Sequence, residues 1–391
     1  MNEPAALTTL LSLEDIQLPP VSDIVVRDSD LGAFEREVAA AELAVQEARY
    51  DDAVELLSEL HLAPAHYPDL ALRSLLAESW ARMYRGELDE ALELLKTAKL
   101  VAHRPGFNDF DRAEVLFRIG CIRVKRGAHS RAVNDLTLAL ELCERSGRPS
   151  DRLRAEILQW RSRCYQHQRD FDAARTDVEH ALELVDSLGD SLIAAHVNFR
   201  ASVVTERTGD WLLSCFYAEK AKDLYEEAGD SANVGRLLNN LGGLNFLLGR
   251  PEVAVGCLTQ AVAIGLEGGN EMDAAYAISS LAQVLLRTGA PLLAEPHARH
   301  AIRLLDGRPD VLDELGNVQL VLGRSLLEQE LFDEAGEAFD AAEATFAQFE
   351  SVSLLSAAWC AQGDLALARS DSDSAAELYR RAAEALQDFN F

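Results

Sequence analysis

The chain has 391 residues, 48% of them hydrophobic, with 65 acidic against 37 basic side chains and a net charge of −28. That is enough apolar material for an extensive core, and enough negative charge to disfavour direct contact with nucleic acid or an anionic membrane. No run of about 18 apolar residues is present to span a bilayer, and the six cysteines are scattered singly with no CxxC pair, as expected of reduced thiols in a cytosolic protein.

Residues 1–30 stand apart from the rest. Pro4, Pro19 and Pro20 interrupt any helix, and the segment lacks the basic start of a signal peptide. We expect a flexible tail here. LEDIQLPPVSDIVV could also act as a short docking motif, because it is extended, partly apolar and acidic.

From residue 31 onward one pattern repeats to the end. A small residue recurs at Ala53, Ala91, Ala132, Ala174, Ser214, Ala254, Ala294, Ala335 and Ala375, with gaps of 38 to 42 residues. Seven residues after each comes Leu60, then Ala98, Ala139, Ala181, Ala221, Ala261, Ala301, Ala342 and Ala382. Twelve residues before each comes another small residue: Ala41, Ser79, Gly120, Ser162, Ser202, Gly242, Ala282, Gly323 and Gly363. Two helices can approach closely only where both carry small side chains, so each unit reads as a tight helical hairpin. The hairpin turns often hold glycine (Gly86, Gly127, Gly209, Gly249, Gly289). The links between units read GRPSD, LGDS, AGDS, GGNE and GRPD, which suit a left-handed helix end followed by an N-cap. No period-two strand pattern interrupts the array.

Trp359, Gly363, Ala366, Ala375, Tyr379 and Ala382 resemble the pattern of the tetratricopeptide repeat, as do Leu238, Leu241, Gly242, Ala254, Leu258 and Ala261. The resemblance covers residues 31–391 as about nine repeats. It implies an all-α protein, a right-handed α-solenoid of about nine helical hairpins. Two departures are clear. The repeats are about 40 residues where the family usually has 34, which adds about 9 Å of helix, and the family's closing proline is absent. Long repeats of this kind are similar to those of kinesin light chains and of the sensor regions of bacterial helix-turn-helix regulators. Here about 30 residues precede the array, too few for the DNA-binding domain that such regulators carry.

Catalytic and metal chemistry find little support. His297 and His300 lie three apart with Glu295 nearby, but no third zinc ligand is evident. DSDSAAE lacks the glycine and final glutamate of a calcium loop. GLEGGN is not followed by GK[ST], and neither a nucleophile elbow nor HExxH occurs. We expect a non-enzyme with no cofactor and no metal.

Charge is unevenly distributed. Arg112 to Arg175 holds 14 basic and 8 acidic residues, net +6, leaving −34 elsewhere. This block is either a binding surface or internal charge balance. In tetratricopeptide arrays the first helix of each repeat lines the groove, and its exposed stripe would place Phe117, Arg118 and Lys125 there. Next come Gln159, Trp160, Arg163 and His167, followed by Phe199, Arg200 and Arg207. Arg236, Asn239 and Asn240 continue the stripe, and Tyr276 and Gln283 end it. Arginine forks bind carboxylates, asparagine amides satisfy a peptide C=O and N–H together, and the aromatics add apolar contact. The NNLG segment resembles the asparagine that holds peptide backbone in kinesin light chains and peptide-sensing regulators. Asn240 matches it, although Trp160, Arg200 and Ser280 stand at that register in other repeats.

The expected function is therefore a cytoplasmic, non-enzymatic module that captures a protein or peptide segment in the groove of repeats three to six, as a regulatory sensor. An acidic peptide fits this surface. The alternative is a structural scaffold or homo-oligomer in which a neighbour's tail fills the groove, with Phe389 and Phe391 as a contact.

Overall fold

The computed structural model describes residues 28–58, 60, 67–348 and 351–387. Of the tail expected over residues 1–30, residues 1–27 lie outside these, as does the aromatic contact at Phe389 and Phe391, while residues 28–30 already belong to a helix. Among the described residues there are eighteen α-helices and no strand, and no helix is long and apolar enough to cross a membrane.

The chain divides into two compact units. The first, Met1–Ser150, contains three hairpins: α1 (Asp28–Gln46) with α2 (Tyr50–Ser58), α3 (Pro68–Tyr84) with α4 (Leu88–Ala102), and α5 (Asp109–Lys125) with α6 (His129–Ser146). The second, Asp151–Phe391, contains six. They are α7 (Asp151–His167) with α8 (Phe171–Val185), α9 (Ser191–Arg207) with α10 (Trp211–Ala228), α11 (Ser231–Leu247) with α12 (Pro251–Glu267), α13 (Glu271–Arg287) with α14 (Pro291–Leu305), α15 (Leu312–Glu328) with α16 (Phe332–Gln348), and α17 (Val352–Ala368) with α18 (Ser372–Gln387).

The small-residue columns form the seam of every hairpin. Ala53, Ala91, Ala132, Ala174, Ser214, Ala254, Ala294 and Ala335 are all fully buried. The partner column adapts to the side chain that faces it. Where the second helix offers Leu136, Leu258, Phe339 or Tyr379, the first helix has Gly120, Gly242, Gly323 or Gly363. Where it offers Val178, Ala218 or Ala298, the first helix has Ser162, Ser202 or Ala282. At four seams glycine makes room for a large side chain, as close packing demands, while Ser79 and Ala41 stand at the same register from Leu95 and Leu57. Ser162 and Ser214 satisfy their hydroxyls within the seam, donating to the carbonyls of Ala174 (2.9 Å) and Ser202 (2.8 Å).

Capping sets the helix ends. The side chains of Asp170, Asp190, Asp210, Asp230 and Asn270 each accept a hydrogen bond from the backbone N–H three residues on. Left-handed backbone closes the hairpins at Gly86, Gly127, Gly209, Gly249 and Gly289, while Ala48, Arg169, Glu330 and Ser370 adopt it in the remaining ones with φ of 56° to 63°.

Within the first unit α1 touches α3 and α3 touches α5. Within the second, α7 touches α9, α11 touches α13, α13 touches α15 and α15 touches α17. Consecutive second helices make no comparable contact among the described residues. The first helices therefore lie on the inner side of each stack, touching in succession except for α9 and α11, which make no comparable contact among the described residues.

Candidate functional site

The expected stripe falls partly in the first unit and partly in the second, and its members differ in what they touch.

In the first unit, Phe117 belongs to the core. It is 4% exposed and packs on Trp80 with ring centroids 5.9 Å apart. Arg118 lies over Trp80, 4.8 Å from its centroid, and donates to Glu114 at 3.2 Å. Lys125 sits 4.9 Å from the ring of Tyr84, which stacks on Tyr50. The cations expected to greet a ligand thus rest on an aromatic strip of this unit's own. Trp80 was legible in principle, because it holds in repeat two the register of Arg163 and Gln283.

Eight of the fourteen basic side chains in the block are ion-paired among the described residues. In the first unit Arg112 and Arg145 pair with Asp109, Arg118 with Glu114, Arg123 with Asp135, and Arg126 with Asp89. In the second unit Arg152 pairs with Glu156 and Asp190, Arg154 with Asp151, and Arg161 with Asp177. The last pair is bidentate, at 2.7 and 2.8 Å, with both side chains largely buried. Burial alone would depress the Arg161 guanidinium, but the hydrogen bonds and charge of Asp177 outweigh it and hold the group above its ordinary value.

The inner face of the second unit holds the exceptions. On α7, Trp160 is half-buried, Arg163 leans over its ring at 5.6 Å, and His167 is exposed, as is Arg207 at the end of α9. Arg200 of α9 donates from Nη1 to the Gln166 side-chain oxygen at 3.3 Å, while its Nε is shut from solvent without an acceptor among the described residues. Burial, reinforced by the like charge of Arg163, pushes the Arg200 guanidinium down to about 10. Phe199 packs half-buried against the core around Leu237 and Tyr225. On α11, Arg236 is committed to Asp273 of the next repeat, at 2.9 Å from Nε. Asn239 keeps a buried Oδ1 without a donor among the described residues. Asn240 and Gln159 are half-buried on this face, and Tyr276 and Gln283 of α13 are exposed.

One feature of this face escaped the sequence reading. Glu314 of α15 accepts the Ser279 hydroxyl at 2.5 Å, and burial pushes its carboxyl above the ordinary range. In a chain with 65 acids, nothing marks one as buried until its neighbours are placed. No group of three or more His, Cys, Asp or Glu among the described residues is placed to hold a metal ion.

Comparison with known proteins agrees with this geometry. Residues 191–267, which span α9 to α12, match the tetratricopeptide repeat family. No curated protein matches the sequence. Among solved structures, the chain is similar to the STAND signal-transduction ATPase with a tetratricopeptide repeat sensor from Pyrococcus horikoshii, at 13% identity and TM-score 0.66, over 87% of this chain and 53% of that one. This chain thus spans about half of that protein. It is also similar to the apo form of the quorum sensor NprR from B. thuringiensis, at 14% identity and TM-score 0.62, covering 92% and 100% of the two chains. A third is a Rap protein complexed with competence and sporulation factor, at 16% identity and TM-score 0.60, covering 91% and 98%. Residues 191–267 are thus tetratricopeptide repeats, and the described chain has an all-α fold of helical hairpins like that of these proteins.

Proposed function

We propose that this protein is a non-enzymatic interaction module that takes a peptide or protein segment along the inner face of its second unit, on α7, α9, α11 and α13. One observation carries the reading. The face brings half-buried polar side chains, Arg200, Asn239 and Asn240, together with the flat surfaces of Trp160 and Tyr276. An extended segment supplies a C=O and an N–H at each residue for amides such as Asn239 and Asn240, and apolar side chains for the rings. Proteins of similar fold include a quorum sensor and a Rap protein complexed with competence and sporulation factor, which supports a sensing role.

The test is capture from a lysate of the cells that make the protein, with the intact chain beside a Trp160→Ala, Asn239→Ala, Tyr276→Ala variant of unchanged helicity and melting. A partner held by the first and lost by the second supports the proposal. A partner held equally by both overturns it.

A second reading, self-assembly, rests on a different surface. The starts of consecutive second helices expose Trp211, Leu212 and Phe216 on α10, Val253 on α12, and Leu292 and Leu293 on α14, the last two by 73% and 59%. An apolar row of this kind marks an interaction surface in soluble proteins. Sedimentation of the full chain against a Leu212→Glu, Leu292→Glu variant separates the two readings, since only self-assembly through this row predicts a fall in mass.

A further inference from the structure

Near the start of the second helix of each hairpin, three positions point outward: two and one before the buried small residue of the seam, and two after it. On α2 they are Asp51, Asp52 and Glu55, on α4 Asp89, Glu90 and Glu93, and on α16 Asp333, Glu334 and Glu337. Acids suit these places, because the helix dipole favours negative charge at an N-terminus. Three consecutive repeats of the second unit give that advantage up. α10 has Leu212, Leu213 and Phe216 there, and α14 has Leu292, Leu293 and Pro296, all exposed to solvent. α12, between them, has Glu252, Val253 and Gly256. Gly256 lies beyond the first turn of that helix, where glycine is disfavoured relative to alanine. A Cβ on it would project into open space, so no described neighbour calls for the glycine. What it does permit is the close approach of another helix from outside.

We infer that this row is the contact between two copies of the chain, related by a two-fold axis that runs along α12. The inference rests on the self-assembly reading above and gives that assembly its partner surface and its symmetry. Two chains of net charge −28 repel over most of their surface and can meet closely only where the acids give way. A contact between identical copies that closes as a dimer must be complementary to itself. The row meets that condition when turned about α12. Gly256 then meets the partner's Gly256, Leu212 meets the partner's Leu292, and bulky Phe216 meets the compact ring of the partner's Pro296. Beyond the apolar row, the acids of α16 come over the start of α8, where the register reads Asp172, Ala173 and Thr176 and Arg175 is exposed beside it. An axis along the row would instead set α16 on its own counterpart, acids against acids. Charge therefore selects the axis along α12. Glu252 is the one acid left in the row, and this axis places it beside its counterpart.

Sedimentation equilibrium of the full chain over a range of concentrations, at about 0.15 M salt to screen the long-range repulsion, tests it. The parent should be a dimer in equilibrium with monomer. Leu212→Glu with Leu292→Glu sets like charges on both facing pairs and should weaken the dimer about a hundredfold or more. Leu212→Lys with Leu292→Glu carries as much charge into the row, but each introduced lysine meets an introduced glutamate, so its dimer should be about tenfold tighter than that of the first variant. Gly256→Ala should weaken the parent dimer severalfold. Added to the monomeric Leu212→Glu, Leu292→Glu chain, the same change should raise the thermal midpoint, because alanine is the better helix former. Glu252→Gln should tighten the dimer. All these changes fall on exposed positions, so the fold survives them.

The inference is overturned if the parent is a monomer throughout or if its mass grows past two copies. It is equally overturned if the lysine–glutamate variant is as monomeric as the double-glutamate one, if Gly256→Ala dimerises like the parent, or if Glu252→Gln loosens the dimer. Its failure is distinct from failure of self-assembly. A mass that falls with Leu212→Glu, Leu292→Glu and is not restored by the lysine–glutamate variant keeps assembly through the row and removes the two-fold pairing.

Discussion

Gly242 of α11 and Leu258 of α12 meet with no space for a methyl group between them: a Cβ on Gly242 would lie 2.5 Å from Leu258 Cγ, and Leu258 is fully buried. The leucine has no solvent to retreat into, so the helices would have to part. Gly242→Ala should destabilise the protein by about 1–3 kcal/mol, as overpacking does. Leu258→Ala alone should cost about 2–5 kcal/mol by the cavity it leaves, and adding Gly242→Ala to it should recover part of that loss, because the new methyl fills some of the space. Urea denaturation of the single and double variants reads both effects.

The Arg161–Asp177 pair predicts a second asymmetry. Asp177 is 3% exposed and takes both of its hydrogen bonds from Arg161 at 2.7 and 2.8 Å. Asp177→Ala removes the carboxylate that faces a largely buried guanidinium and should cost about 3–5 kcal/mol. Arg161→Met together with Asp177→Leu should cost far less, since it removes both charges and keeps the volume. A double-mutant cycle by chemical denaturation measures the difference.

Glu314 sets a pH dependence of known sign. Burial raises its carboxyl in the folded state above the unfolded value, with the Ser279 hydroxyl opposing and the charge of Asp313 adding. A group raised in this way contributes stability while protonated, in full below the unfolded pKa, and loses it as pH rises through the folded pKa. Glu314→Gln, which keeps an acceptor for Ser279, should therefore be more stable than the parent at neutral pH. The gap should close as pH falls toward the ordinary glutamate pKa of about 4.3. Denaturation midpoints of both proteins across that range test it.

Glu330 turns the hairpin between α15 and α16 in the left-handed region, with φ of 62°, where Gly289 serves one repeat earlier. Its side chain is exposed. Glu330→Gly should relieve the steric cost of a Cβ at that φ and stabilise the protein by up to about 1 kcal/mol. Gly289→Ala should destabilise it. Thermal midpoints of the two variants should move in opposite directions.

The fold was legible because its signal is repeated and short-range. A small residue about every 40 positions, and another twelve before each, fixes where two helices cross, since a large side chain at a crossing separates the backbones. Even the exceptions are regular: glycine at 120, 242, 323 and 363 answers Leu136, Leu258, Phe339 and Tyr379. The site was legible only in outline. The helix face carrying Trp160, Arg163, Arg200 and Asn239 follows from periodicity. Whether a given arginine there is spoken for does not, because its counter-charge sits 12, 16 or 37 residues away, as Asp135, Asp177 and Asp273 do for Arg123, Arg161 and Arg236.

The sequence by itself thus determined the all-α hairpin repeat, its seams and the face each first helix presents, because these depend on residue size and the helical period. The tertiary structure alone decided that Phe117 is core, that Arg118 and Lys125 rest on rings of their own unit, and that Arg161 and Arg236 are neutralised. It also decided that Arg200, Asn239 and Glu314 carry polar or charged groups into a half-buried face. Desolvation and pairing depend on which side chains from different repeats come within a few ångströms, and nothing local to one repeat encodes that distance.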